Sequence, residues 1–310
     1  MQIKRIIIVA ILCLMGFIIF SQDTDQQKLF ERNGYQFPYQ LEKPSKYWEL
    51  PKKLVEISGL GYIDDARLAL VQDEKGIIFI FNVQTGKVER EIKFGNDGDY
   101  EGIEIVENDA WILESNGNLY RVKDFLADIV PLVEKYSTAI STKNDAEGLA
   151  YDHINKNLLI ACKGHPFVDH KKGKDFKAIF NFNVETKKLN TEPMILIKLD
   201  TIKKNINYNT ITQWGIELMA YLDTYKGDVS FQPSGVAVHP ISGNIYVLGS
   251  VGKMLIVYSR AGKLMAMVKL SPKTHAQPEG ICFDANATLY ISNEGDGNKA
   301  KIIMMKMMKY

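Results

Sequence analysis

A short phrase returns five times along the chain: a serine or glutamate, then glycine, then an aliphatic residue. It reads Ser58-Gly59-Leu60, Glu101-Gly102-Ile103, Glu147-Gly148-Leu149, Ser234-Gly235-Val236 and Glu279-Gly280-Ile281, with glycines spaced 43, 46, 87 and 45 residues apart. A fixed period of this length is the mark of a repeat architecture. After each phrase come short runs rich in β-branched and aromatic residues, broken by Gly and Asn turns. In the fourth repeat these are VAVHP, IYVLGS, LIVYS and LMAMVKL. Four antiparallel strands per repeat make one propeller blade, which buries both faces only when neighbours stack on it. The pattern predicts an all-β chain, a β-propeller.

Blade number turns on the gap of 87 residues. Residues 148–200 supply one blade, enlarged by a basic loop over 163–177 (KGHPFVDHKKGKDFK), and about 201–228 is too short for four more strands. Its centre, ITQWGIELMAYLDTY, has apolar residues at helical spacing. The expectation is five four-stranded blades plus a helical insertion, with six blades as the alternative. The last repeat ends one strand short, and the segment LPKKLVEI ahead of the first phrase is the expected fourth strand, closing the ring and removing its free edges.

Upstream, Lys4 and Arg5 precede fifteen uncharged residues, Ile6 to Phe20, and Ser21 lies at the boundary before the chain turns polar. A helix of that length rises about 22 Å, short of the roughly 30 Å hydrocarbon core, which favours a cleaved export signal over a permanent anchor. The organisation read from the sequence is therefore a signal peptide or membrane anchor at 1–21, a polar leader at 22–47 and a propeller domain at 48–310. An exported chain of the periplasm or cell envelope follows, with membrane attachment through the N-terminal segment as an option. Lys+Arg 38 against Asp+Glu 37 leaves a net charge of +1, which disfavours nucleic acid as a partner. Cys162 and Cys282 lie in apolar runs far apart and read as separate buried thiols, with no Cys/His cluster for zinc.

In a propeller the first strand of each blade lines the axis, so the phrase lies where that strand begins. The glycine lets strands crowd where a side chain would not fit. Glu101, Glu147 and Glu279 hold equivalent positions and point at one shared space, where carboxylates repel unless a cation compensates or one is protonated. They are candidate oxygen ligands for Ca2+; the bland alternative is that each accepts backbone N–H groups of a neighbouring blade as a latch. Ser58 and Ser234 take the same place in the other two blades. A second polar set follows strand two: Asp73 and Glu74, Glu114 and Ser115, Lys163, Ser250, and Asn293 and Glu294. Of these, Asp73, Glu74 and Glu294 join the candidate ligand-binding residues, because blades one and five are neighbours in a closed ring. No GxSxG, Walker or HExxH signature is present, and no residue is assigned a catalytic role. The five histidines are scattered over turn-like stretches, His165 and His170 in the basic loop.

The phrases LVEISGL, RLALVQDEKGIIFIF, GDYEGIEIV, DAEGLAYD, QPSGVAVHPISGNIYVLGS and QPEGICFDANATLYISNE, in this order and spacing, resemble the SdiA-regulated, YjiK-like family. The resemblance runs from about Leu50 to the C-terminus and implies a propeller of the cell envelope. Two function classes follow. One is a non-enzymatic module binding a small ligand or an envelope protein at the channel mouth. The other is a calcium-dependent hydrolase of lactones or phosphate esters, with Glu101, Glu147 and Glu279 as ligands.

Overall fold

The computed structural model describes residues 28–170, 173, 175–205, 230–295 and 297–308. The export segment and the ITQWGIELMAYLDTY stretch lie outside them. Two N-terminal strands come first, β1 (Lys28–Glu31) and β2 (Lys46–Glu49). The first blade is β3 (Ile57–Asp64), β4 (Arg67–Gln72), β5 (Ile77–Asn82) and β6 (Lys87–Lys93). The second is β7 (Tyr100–Val106), β8 (Asp109–Glu114), β9 (Leu119–Lys123) and β10 (Leu132–Tyr136). The third has β11 (Ala146–Asp152), β12 (Asn157–Cys162) and β13 (Phe176–Asn183), its outer place shared by β14 (Lys188–Leu189) and β15 (Ile195–Lys198). A helix, α1 (Leu199–Asn205), follows. The fourth blade is β16 (Gln232–Val238), β17 (Ile245–Val251), β18 (Met254–Tyr258) and β19 (Leu264–Lys269), and the fifth has β20 (Pro278–Phe283), β21 (Leu289–Asn293) and β22 (Lys301–Met305).

The five sheets are antiparallel, and the five-blade expectation holds over the six-blade alternative. Each of the five apolar clusters fills one seam between neighbouring blades, as stacking requires. Cys162 and Cys282 are free and buried in two of these clusters.

Closure comes from the N-terminus, but from a strand just ahead of the expected one. Lys46–Glu49 pairs with β22 in the register Lys46↔Met304 to Glu49↔Lys301. The segment LPKKLVEI instead turns through a short 3-10 helix, Lys52–Leu54, because the chain must cross from the outer edge of the fifth blade to the axis to begin β3. Trp48 fixes this join, stacking on Tyr290 and meeting Phe81 of the first blade edge-on. The leader is packed rather than free: β1 adds a fifth strand to the fourth blade beside β19. Phe37, Tyr39 and Leu41 then enter the seam between the fourth and fifth blades. The Tyr39 hydroxyl donates to the Ala287 carbonyl at 2.7 Å and lies 3.0 Å from His239 Nε2.

Candidate functional site

At the axis the glycines form a ring in which each makes room for the next blade. A Cβ on Gly59 would lie 2.9 Å from Gly102 Cα, one on Gly102 2.8 Å from Leu149 Cβ, and one on Gly148 2.8 Å from Gly235 C. One on Gly235 would lie 2.5 Å from the Glu279 carbonyl oxygen, and one on Gly280 3.0 Å from Leu60 N, which closes the circle. These are below ordinary contact distance, so alanine is excluded unless the backbone shifts. The space left between the phrases is about 10 Å³, room for about one water at most. The ring is therefore plugged at its waist, and chemistry is confined to its ends.

The polar end is the one at which the first strand begins and the second finishes. There the five phrase positions behave in two ways. Ser58 Oγ donates to the Tyr100 carbonyl at 2.6 Å, and Ser234 Oγ to the Pro278 carbonyl at 2.8 Å. Both hydroxyls are buried and tie one blade to the residue just ahead of the next blade's glutamate. The glutamates do not act as backbone latches. Among the described residues no backbone N–H donates to Glu101, Glu147 or Glu279. That work is done by Glu104, three residues further along β7: its Oε1 accepts from Ile105 N at 2.8 Å and its Oε2 from Tyr151 N of the third blade at 3.0 Å. Burial lifts the Glu104 carboxyl to about 7 against these two donors, which pull it down.

The three phrase glutamates face one another electrostatically. Burial, then the neighbouring Glu147 and Asp99, raise Glu101. Burial raises Glu147, opposed by Lys163. Burial, then Glu294 and Glu147, push Glu279 up to about 8. Around them stands a second tier. Asp73 is lifted to about 6 by burial and by Glu56, Glu294 and Glu74, and its Oδ1 is buried without a hydrogen-bond partner. The Gln277 amide donates to Glu294 at 2.7 Å, Ser115 Oγ donates to Asp99, and Glu74 turns to solvent. So Asp73 and Glu294 of the first and fifth blades do come into mutual range, while Glu74 contributes charge from outside. Among the described residues, no three His, Cys, Asp or Glu side chains group closely enough to hold a metal ion.

Two cations act on these carboxyls: Lys253 lowers Glu279, and Lys163 lies closest to the set. Its Nζ lies 2.5 Å from Glu147 Oε1 and 3.5 Å from Asp145 Oδ2, and its charge also reaches Glu101 and Glu279. Described residues of the basic loop pack beside it. Asn144, fully buried, donates to the His165 and Phe167 carbonyls at 2.9 and 3.0 Å. His165 packs edge-on against His170, and Lys177 Nζ donates to the Lys163 carbonyl. His239 and His275 lie instead in the seam occupied by the leader, where burial holds both below the ordinary imidazole value.

The described residues that flank both departures from the repeat lie at this end. The loop after β12 begins at Lys163, and β15 runs back towards it, with Lys198 opposite Phe176. Leu199 N, opening α1, donates to the Asp175 carbonyl at 3.0 Å, and the chain returns at Ser230 beside the start of β16. Sequence reasoning found the glutamates and Asp73 with Glu294 from their repeat position. It passed over Lys163 as a site residue, although a cation where other blades carry Asp73, Ser115 and Glu294 was a visible signal.

Among solved structures the chain is similar to a luciferin-regenerating enzyme, with 13% identity, TM-score 0.48, and 85% of this chain and 95% of that one covered. It is similar to virginiamycin B lyase from Staphylococcus aureus, with 14% identity, TM-score 0.44 and coverage of 82% and 69%. It is also similar to a gluconolactonase from Xanthomonas campestris, with 10% identity, TM-score 0.47 and coverage of 77% and 68%. No curated protein sequence matches it. Residues 192–296, from just ahead of β15 to just beyond β21, match the family described as SdiA-regulated, the same family that the ordered phrases resemble.

Proposed function

We propose that this propeller is an exported, non-enzymatic binding module of the cell envelope whose acidic end takes a small cationic ligand. The observation that carries this reading is the surplus of buried carboxyl groups over cations. Glu101, Glu147, Glu279 and Asp73 are all held above their ordinary values, Glu101, Glu147 and Glu279 share Lys163 as a nearby cation, and Asp73 keeps a buried oxygen without a hydrogen-bond partner. Burial and neighbouring carboxyls raise these groups, and a cation entering the space would offset the repulsion among them. The plugged waist supports a ligand seated at the end rather than threaded through the ring. Described residues of the loop after β12 lie at that end, and loops on a rigid scaffold are where binding residues concentrate. Export rests on the sequence of residues 1–21.

The calcium-dependent hydrolase draws less support, because Glu147 is taken up by Lys163. Calorimetry on the purified chain tests the choice, using calcium chloride and, separately, putrescine, against a variant carrying Glu101→Gln, Glu147→Gln and Glu279→Gln. Saturable heat with either cation that the triple variant loses is the expected outcome. Calcium-dependent turnover of a lactone or phosphate ester would overturn the non-enzymatic reading. Heat with neither cation, together with a variant less stable to denaturant, would make the glutamates purely structural.

A further inference from the structure

Between the fifth and first blades the seam opens into a cleft of about 650 Å³, within the range that small-molecule sites occupy. Three pieces of chain wall it: the crossing from β2 to β3, the turn into β6 and the turn into β22. The first-blade wall is held against the closing strand at Gly86, where an added Cβ would lie 2.8 Å from Trp48 Cδ1. None of the axial carboxyls, nor Lys163, lines this space.

Every wall brings a lysine. Lys52 and Lys53 come from the crossing, Lys87 from the turn into β6 and Lys299 from the turn into β22, while Glu49 is the carboxyl among the lining residues. Two of these lysines are paired, Lys299 with Glu49 at 2.8 Å and Lys53 with Glu91. Lys52 and Lys87 are exposed and, among the described residues, make no ion pair. Even with Glu91 counted, four ammonium groups stand against two carboxylates. Leu50, Pro51, Val55 and Val88 give the same cleft an apolar side.

We propose that this cleft is a second binding site, for a phosphate monoester that carries a short apolar group. The ester places two negative charges on one compact head, which answers Lys52 and Lys87 without breaking either existing pair. Lysine takes phosphate as a point charge, so no bidentate geometry is required. The apolar group then lies along Leu50, Pro51, Val55 and Val88. This site goes beyond the cation-ligand reading of the axial end and stands or falls without it.

The test titrates phenyl phosphate, inorganic phosphate and benzyl alcohol separately into the purified chain by calorimetry, with the melting midpoint followed in parallel. The variant is Lys52→Glu/Lys87→Glu, whose unliganded midpoint should stay close to that of the wild type because both side chains are exposed. Expected are saturable binding of phenyl phosphate, weaker binding of inorganic phosphate and none of benzyl alcohol. The variant should lose about tenfold or more in affinity for phenyl phosphate, the combined worth of two exposed ion pairs, and added salt should weaken binding to the wild type. Neither heat nor a midpoint rise with phenyl phosphate, or an affinity unchanged in the variant, overturns the proposal. Inorganic phosphate held as tightly as phenyl phosphate overturns the assignment of the ester. The Glu101→Gln, Glu147→Gln and Glu279→Gln chain should bind phenyl phosphate as the wild type does; a loss there would place the anion at the axial end and overturn this site whatever the cations do. If the charge reversal prevents folding, Lys52→Ala/Lys87→Ala carries the same titration.

Discussion

The first and fourth blades place serine where the second, third and fifth place glutamate, and the two choices do different work at one address. Serine is short enough to reach only the neighbouring blade's carbonyl, and it spends its hydroxyl there, at 2.6 Å from Ser58 and 2.8 Å from Ser234. Glutamate carries its carboxyl past that carbonyl into the common space, where it meets other carboxyls and Lys163. Equivalent repeat positions therefore fix where a side chain starts, while its length decides whether it binds the scaffold or faces the site. The glycine that follows is indifferent to the choice, because what it avoids is backbone.

That last point gives the largest expected effect. Gly59→Ala in a serine blade and Gly148→Ala in a glutamate blade should each lose about 3 kcal/mol by denaturant unfolding, since the added Cβ meets backbone atoms in both. A loss confined to one blade type would break the idea that the glycine ring is independent of its neighbour. Next comes the pH response of the glutamates. Glu279 is raised from 4.5 to about 8, so the folded state holds its proton more tightly than the unfolded chain. The stability this gives is full below pH 4.5 and is lost as pH rises through about 8. Glu279→Gln should flatten that decline, with the difference from wild type growing in favour of the variant from pH 5 to 8 in urea melts. An unaltered slope would mean that Glu279 is compensated as the serines are. The smallest effect belongs to the serines: Ser58→Ala and Ser234→Ala should each lose about 1 kcal/mol, with no change in the slope against pH. A pH-dependent loss would show that the serines belong to the acidic set after all.

The architecture was readable because its cause is short-range and repeated. A glycine before an aliphatic at fixed spacing is a steric demand of the axis, and five such phrases yield five blades. The site was readable only in part. Glu101, Glu147 and Glu279 are announced by their register, but Glu104, the true backbone latch, looks like any polar residue on an exposed strand face. Lys163 sat in a loop rich in other lysines, and its pairing with Glu147 depends on the register of β11 against β12 within the third blade. The leader's contribution had a signal that went unread: Phe37, Tyr39 and Leu41 alternate with polar or turn residues at the period of a strand. Their burial in the seam follows from that pattern once a seam is there to receive them.

The join between β2 and β22 has a kinetic side. The partners Lys46 and Met304 are separated by nearly the whole described chain, so this strand pairing carries a large loop-closure cost. During synthesis, β2 emerges early and its partner late. Until the partner arrives, Trp48 lacks the Tyr290 face on which it stacks, and the seam between the fifth and first blades stays open. A chain stopped before residue 301 would lack β22, leaving β2 without its partner and the outer edge of β21 open.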